Sequence, residues 1–143
     1  MIEFILTGHG DFSKGLYQAI EMIAGKQENL HTVLFTLEDT PLSYQNKLKK
    51  VLKLNNQPEK VLFFTDLLGG TPFKVCAELA MEQENWSVLS GTNLGMLLEG
   101  VALRTFMDNP LLLSKQIQQA GCENITIFSE IPSTVEEVLE TGI

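Results

Sequence analysis

Four short stretches of this chain are so apolar that they must be covered on both sides. Ile2-Glu3-Phe4-Ile5-Leu6, His31-Thr32-Val33-Leu34-Phe35-Thr36, Val61-Leu62-Phe63-Phe64 and Trp86-Ser87-Val88-Leu89-Ser90 are rich in strand-forming residues. A strand with one wet face alternates apolar and polar positions, whereas Val61 to Phe64 has no polar position. Each stretch is followed by apolar residues at helical spacing: Leu16, Ala19, Ile20 and Ile23; Tyr44, Leu48, Val51 and Leu52; Phe73, Cys76, Ala77 and Ala80; Met96, Leu97, Val101 and Ala102. Strand and helix in strict alternation predict a parallel sheet with helices on both faces.

Right-handed crossovers limit how such units join, and a 2-1-3-4 strand order of the flavodoxin-like type is the simplest α/β solution. Asp39-Thr40-Pro41 opens the second helix, and Thr71-Pro72 the third, with Thr71 as cap and Pro72 at the first helical position. Asn93 caps the fourth helix. Asp108-Asn109-Pro110 starts a fifth, which Gly121 closes. Ile125-Thr126-Ile127-Phe128 reads as a short fifth strand, and Ser133 or Thr134 with Glu136 and Glu137 as a capping box for a terminal turn. The 143 residues therefore read as one domain, 1–143, with a core over 1–121, a strand segment over 122–130 and a tail over 131–143.

Composition excludes several classes of function. The formal net charge of −8 argues against nucleic acid as the main partner, because phosphate-backbone binding needs clustered Lys and Arg. The chain has no apolar run long enough to span a bilayer, and its first residues lack a basic region and a small-residue cleavage site. Cys76 and Cys122 are too few and too isolated for a disulfide framework or a zinc site. The expected compartment is the cytoplasm.

In a 2-1-3-4 sheet the switch point lies between the first and third strands, and ligands bind there beyond the carboxyl ends of the strands. Thr7-Gly8-His9-Gly10 follows strand one, and Asp66-Leu67-Leu68-Gly69-Gly70-Thr71-Pro72-Phe73 follows strand three. A carboxylate that accepts the N–H of one imidazole nitrogen leaves the other with a free lone pair, so Asp66 would turn His9 into a nucleophile. Phosphoryl transfer also needs donors for the equatorial oxygens. The backbone N–H groups of Gly69, Gly70, Thr71 and Phe73, the Thr71 hydroxyl, and the flanking Gly8 and Gly10 are candidates. The absence of a Walker-type Gly-Lys-Ser/Thr turns attention from a nucleotide donor to a phosphoryl group carried by another protein. Blander readings exist for each part: an isolated His after a strand is commonly a loop residue, an isolated strand-end Asp caps a turn, and Gly-Gly-Thr-Pro merely starts a helix. His31 falls on the opposite rim and reads as structural. Glu136, Glu137 and Glu140 read as a solvated face.

With both motifs in place, the whole chain resembles the IIA component of the mannose-type (mannose/fructose/sorbose) bacterial sugar phosphotransferase system. The resemblance implies that His9 is phosphorylated by the phosphocarrier protein HPr and donates to a histidine of the IIB component. It implies that Asp66 orients the imidazole, that the Thr71 hydroxyl lies near the phosphorylated ring, and that no metal or organic cofactor is required. Thr71 stands where the family usually has Ser, and Leu68 where a Trp is common. The resemblance also implies a homodimer in which 125–128 crosses to the partner's sheet and pairs antiparallel. A stand-alone IIA domain is expected, with IIB a separate polypeptide that links it indirectly to the membrane components IIC and IID. The phosphotransfer subunit of a dihydroxyacetone kinase is a related alternative, although the Asp-x-x-Gly-Gly-Thr-Pro-Phe segment favours the sugar system. A histidine phosphatase would place Arg where Gly8 stands. A regulatory binding module with the same fold would bind partners regardless of His9.

Overall fold

The computed structural model describes residues 1–132 and Glu140. Its elements run β1 (Glu3–His9), α1 (Phe12–Ala24), β2 (Leu30–Phe35), α2 (Pro41–Leu54), β3 (Val61–Phe64), α3 (Thr71–Met81), β4 (Trp86–Leu89), α4 (Leu94–Leu103) and α5 (Pro110–Glu123), with a short 3-10 turn at Phe128–Glu130. The four strands form one parallel sheet in the order β2-β1-β3-β4. The order expected from the crossover rule is the one observed.

The period-two geometry of the strands sorts their side chains between two cores. Phe4, Leu6, Leu62 and Phe64 pack with Ile20, Met96, Leu97, Leu113 and Ile117, so α1, α4 and α5 cover one face. Ile5, Val61 and Phe63 pack with Tyr44, Leu48, Leu52, Val75, Cys76 and Leu79, so α2 and α3 cover the other. Phe4 and Phe64 meet edge to face at 4.9 Å between centroids across the β1–β3 pair. Arg104, itself buried, lies 4.6 Å over the Phe4 ring and donates to the carbonyls of Glu28 and Asn29, closing the rim away from the carboxyl ends of the strands. His31 lies on that rim, 2.9 Å from a Glu3 carboxylate oxygen, as its structural reading requires.

Several boundaries differ from expectation. The N-cap of α3 is Gly70, so Thr71 is the first helical residue and Pro72 the second. Helix α5 runs through Gly121 to Glu123. Gly121 is buried, and an added Cβ there would lie 2.3 Å from Met96 Cγ, so the glycine serves helix packing and not termination. Ile125 to Ile127 belongs to no strand in this single chain, and Phe128 begins the 3-10 turn. Strand-forming side chains do not make a strand without a neighbour to pair with. Ser133, Thr134, Glu136 and Glu137 lie outside the described residues. The Asn93 cap forms as expected, accepting from the Met96 N–H, and within the expected Asp39-Thr40-Pro41 opening it is Thr40 that caps α2, accepting from the Ser43 N–H.

Candidate active site

Three threonines fix the ends of the strands from which the site is built. Thr7 Oγ1 donates to the Val33 carbonyl at 2.7 Å and shares a hydrogen bond with the Tyr44 hydroxyl. Thr65 Oγ1 donates to Leu89 O, and Thr92 Oγ1 donates to Thr65 O, both at 2.7 Å. The Gly91 N–H donates to the Asp66 carbonyl at 2.7 Å. These bonds hold the ends of β1, β3 and β4 where irregular backbone would otherwise leave polar groups unpaired.

His9 is the last residue of β1, paired with Phe35 of β2, and not part of the following loop. One carboxylate oxygen, Asp66 Oδ2, accepts the His9 backbone N–H at 2.8 Å and faces His9 Nδ1 at 2.7 Å. The other, Oδ1, accepts the Leu67 N–H at 2.7 Å. A carboxylate can only accept, so Nδ1 carries the proton and Nε2 presents its lone pair. The His9 side chain is 47% exposed and that of Asp66 14%, which leaves the imidazole accessible and the carboxylate sheltered. Burial pushes the Asp66 carboxyl up, but the N–H groups of His9 and Leu67 outweigh it and hold the carboxyl below its ordinary range.

The glycines act mainly by what they leave out. A Cβ on Gly8 would sit 2.9 Å from Asp66 Cγ and 2.8 Å from Phe12 Cδ1, so only glycine lets the carboxylate approach the β1 backbone. A Cβ on Gly70 would lie 3.0 Å from His9 Cε1. Gly10 and Gly69 take positive φ, 56° and 78°, at the turns leaving β1 and β3. Two expected phosphate donors are not available. The Gly10 N–H is bonded to Phe35 O at 2.8 Å, and the Gly70 N–H to Leu67 O at 3.0 Å. Gly8 is a buried, paired strand residue. The candidates that remain are Gly69, Thr71 and Phe73, the latter two being first-turn amides of α3 that no carbonyl within the helix can reach.

Sequence reasoning missed Phe35. Its ring meets the His9 imidazole edge to face, 5.5 Å between centroids at 83°, and in turn packs on Tyr44. The usable signal was its position at the end of the strand beside β1. Cys76 is no rival nucleophile: burial pushes its thiol up to about 12, which the nearby Tyr44 hydroxyl offsets only in part.

The fold and the site together define a class, a doubly wound α/β protein with an aspartate-held histidine at its switch point. Residues 3–115 match the family described as EIIA-man, PTS system fructose IIA component. The chain is 33% identical over 131 residues to the fructose-specific EIIA component of Bacillus subtilis strain 168, covering 87% of this chain and 90% of that one. It is 35% identical over 98 residues to the sorbose-specific EIIA component of Lacticaseibacillus casei, covering 68% and 70%. The crystal structure of phosphotransferase system component EIIA from Streptococcus agalactiae superposes with a TM-score of 0.84 at 33% identity, over 92% of this chain and all of that one. The chain belongs to the mannose-type IIA family, the sugar-specific phosphotransfer components of the phosphotransferase system. Among the described residues no helix is long and apolar enough to cross a membrane.

Proposed function

We propose that His9 is phosphorylated at Nε2 by phospho-HPr and passes the group to a histidine of a IIB component. The observation that carries this reading is the double engagement of Asp66 Oδ2, which fixes both the backbone and the ring of His9 while the side chain stays about half exposed and Nε2 unengaged by the carboxylate. In the step, the Nε2 lone pair attacks phosphorus in line while the donor's N–P bond breaks, and the electron pair of that bond stays on the donor nitrogen. The Nδ1 proton remains in place. The imidazolium character that develops faces a carboxylate already held ionised. First-turn amides of α3 and the Thr71 hydroxyl receive the phosphoryl oxygens. The relay as proposed uses no metal and no organic cofactor, and it runs in the cytoplasm against a transporter reached through IIB.

The same reading includes a homodimer in which residues 125–128 of each copy pair with β4 of the other. Its support is that β4 pairs on one side with β3 and ends the sheet. Beside β4 and α5 lies a groove of about 450 Å³ whose lining includes Ser87, Ser90, Leu111 and Lys115. Ile125, Ile127 and Phe128 are exposed in the single chain.

Incubation with phosphoenolpyruvate, the system's first enzyme and HPr tests the relay. The expected product is an acid-labile, base-stable phosphate on the protein. Label retained by His9→Ala would remove His9 from the mechanism.

A further inference from the structure

Among the described residues the His9 ring makes one hydrogen bond, Nδ1 to Asp66 Oδ2, and one hydrogen bond is a pivot. The ring could swing about it and turn the Nε2 lone pair aside without breaking it. A second contact has to hold the plane. Phe35 stands opposite His9 across the β1–β2 pair, so both side chains rise from the same face of the sheet. The half-buried Phe35 ring meets the imidazole at 83°, with centroids 5.5 Å apart. Edge-to-face contact prefers one orientation, which a plain apolar wall does not. Gly70 bounds the ring near Cε1, where an added Cβ would lie 3.0 Å away.

Phe35 is braced from behind. Tyr44, with 0% of its surface exposed, meets it at 70° and 5.2 Å. The protons around the Tyr44 hydroxyl can be assigned one by one. The Val33 carbonyl can only accept, so Thr7 Oγ1 donates its proton there. Tyr44 Oη must then donate to Thr7 Oγ1, which leaves an Oη lone pair for the Cys76 thiol at 3.9 Å. Burial pushes both the phenol and the thiol up, so each keeps its proton. The chain Cys76 to Tyr44 to Thr7 to Val33 runs one way. It ties α3, α2, β1 and β2 together beneath the site and ends two residues before Phe35.

We propose that Phe35, braced by Tyr44, is a positioning residue for His9. It fixes the imidazole plane so that Nδ1 stays on Asp66 and Nε2 keeps one direction of attack. This rests on the relay reading, in which His9 accepts the phosphoryl group. In-line transfer requires the lone pair and phosphorus to be aligned, and a small misplacement slows the step without weakening binding.

The test uses the full chain and phosphoramidate, a small phosphoryl donor that needs no docking surface. Proton–nitrogen NMR of wild type should show neutral His9 with its proton on Nδ1. Phe35→Leu is expected to mix the two tautomers and to slow phosphoramidate labelling of His9 by about three- to ten-fold, in kcat and not in KM. Phe35→Tyr, which keeps the ring, should restore both. Tyr44→Phe keeps the packing and breaks the hydroxyl chain, and should move the imidazole signals the same way by less. Unchanged signals in that variant would remove Tyr44 from the device. A merely structural role would lower Tm and leave tautomer and rate untouched, so a folded Phe35→Leu with wild-type spectrum and labelling would overturn the proposal. Where Phe35→Leu does not fold, Phe35→Met is judged by the same criteria. Failure of both to fold would also reject it, because Phe35 would then serve the core alone. The tautomer measurement needs no phosphoryl donor. A wild-type chain labelled by phosphoramidate but not by phospho-HPr would therefore reject the relay and leave the positioning standing.

Discussion

One carboxylate oxygen holds His9 by two handles, the backbone N–H and the ring, and this makes the charge of Asp66 separable from its shape. Asp66→Asn keeps the size and can still accept one hydrogen bond, but it removes the anion facing the ring. Hydrogen bonds to a charged group contribute about 1.5–3 kcal/mol, so phosphorylation of His9 is expected to slow by roughly ten- to a hundred-fold, read by rapid quench. The same residue sets a pH dependence. The folded-state value of Asp66 lies below the ordinary one, so its ionised form adds stability above the unfolded value of about 4 and loses it as pH falls through the folded value. Urea melts should show the gap between wild type and Asp66→Asn widest near neutrality and shrinking in acid. Gly8→Ala tests the other side of the contact. The added methyl strikes the carboxylate and Phe12, and overpacking of this kind costs about 1–3 kcal/mol. The pairing of His9 with Asp66 was legible because strand order brings the carboxyl ends of β1 and β3 together. The steric need for Gly8 was not, since a glycine beside a histidine reads equally as turn chemistry until the carboxylate that crowds it is placed.

At the level of elements, the five helices and the four strands of the sheet came through in order and type, the segment 125–128 did not form the expected strand, and two further discrepancies share one cause. Thr7-Gly8-His9 has the composition of a turn, yet it continues β1 because Leu34 and Phe35 of β2 are there to pair with Gly8 and His9. Gly121 has the composition of a stop, yet α5 passes through it because Met96 needs the room. Local composition cannot register a neighbour that is remote in sequence. Asn93 shows local and remote roles combined: its Oδ1 accepts the Met96 N–H at 3.0 Å, and its Nδ2 donates to Gly121 O at 3.1 Å. Asn93→Ala therefore removes a cap and a tie between α4 and α5, and a loss of about 1–2 kcal/mol is expected in chemical denaturation. Gly15 offers the opposite sign. It lies inside α1 with nothing within 4 Å of an added Cβ, so Gly15→Ala should stabilise by about 0.5–1 kcal/mol and raise Tm.

For the whole molecule, the apolar side chains left exposed at Ile125, Ile127 and Phe128 make a prediction. If residues 125–128 cross between copies, sedimentation should report a dimer, and Ile127→Asp with Phe128→Ser should yield a monomer that still labels at His9 with phosphoramidate. The fold's architecture was readable from apolar runs alone, but a contact to a second copy would leave no trace in one chain's internal pairing. The way His9 is held has a consequence of its own. His9 ends a strand, its ring wedged beside Phe35 and Gly70 and fastened to the carboxylate that also grips its backbone. It is a fixed post and not a swinging arm. In the proposed relay, cargo would not be ferried across the surface by side-chain rotation, so donor and acceptor would each have to come to the same spot and leave before the other arrives. Throughput is then set by the traffic of visiting proteins, and it should fall as solvent viscosity rises.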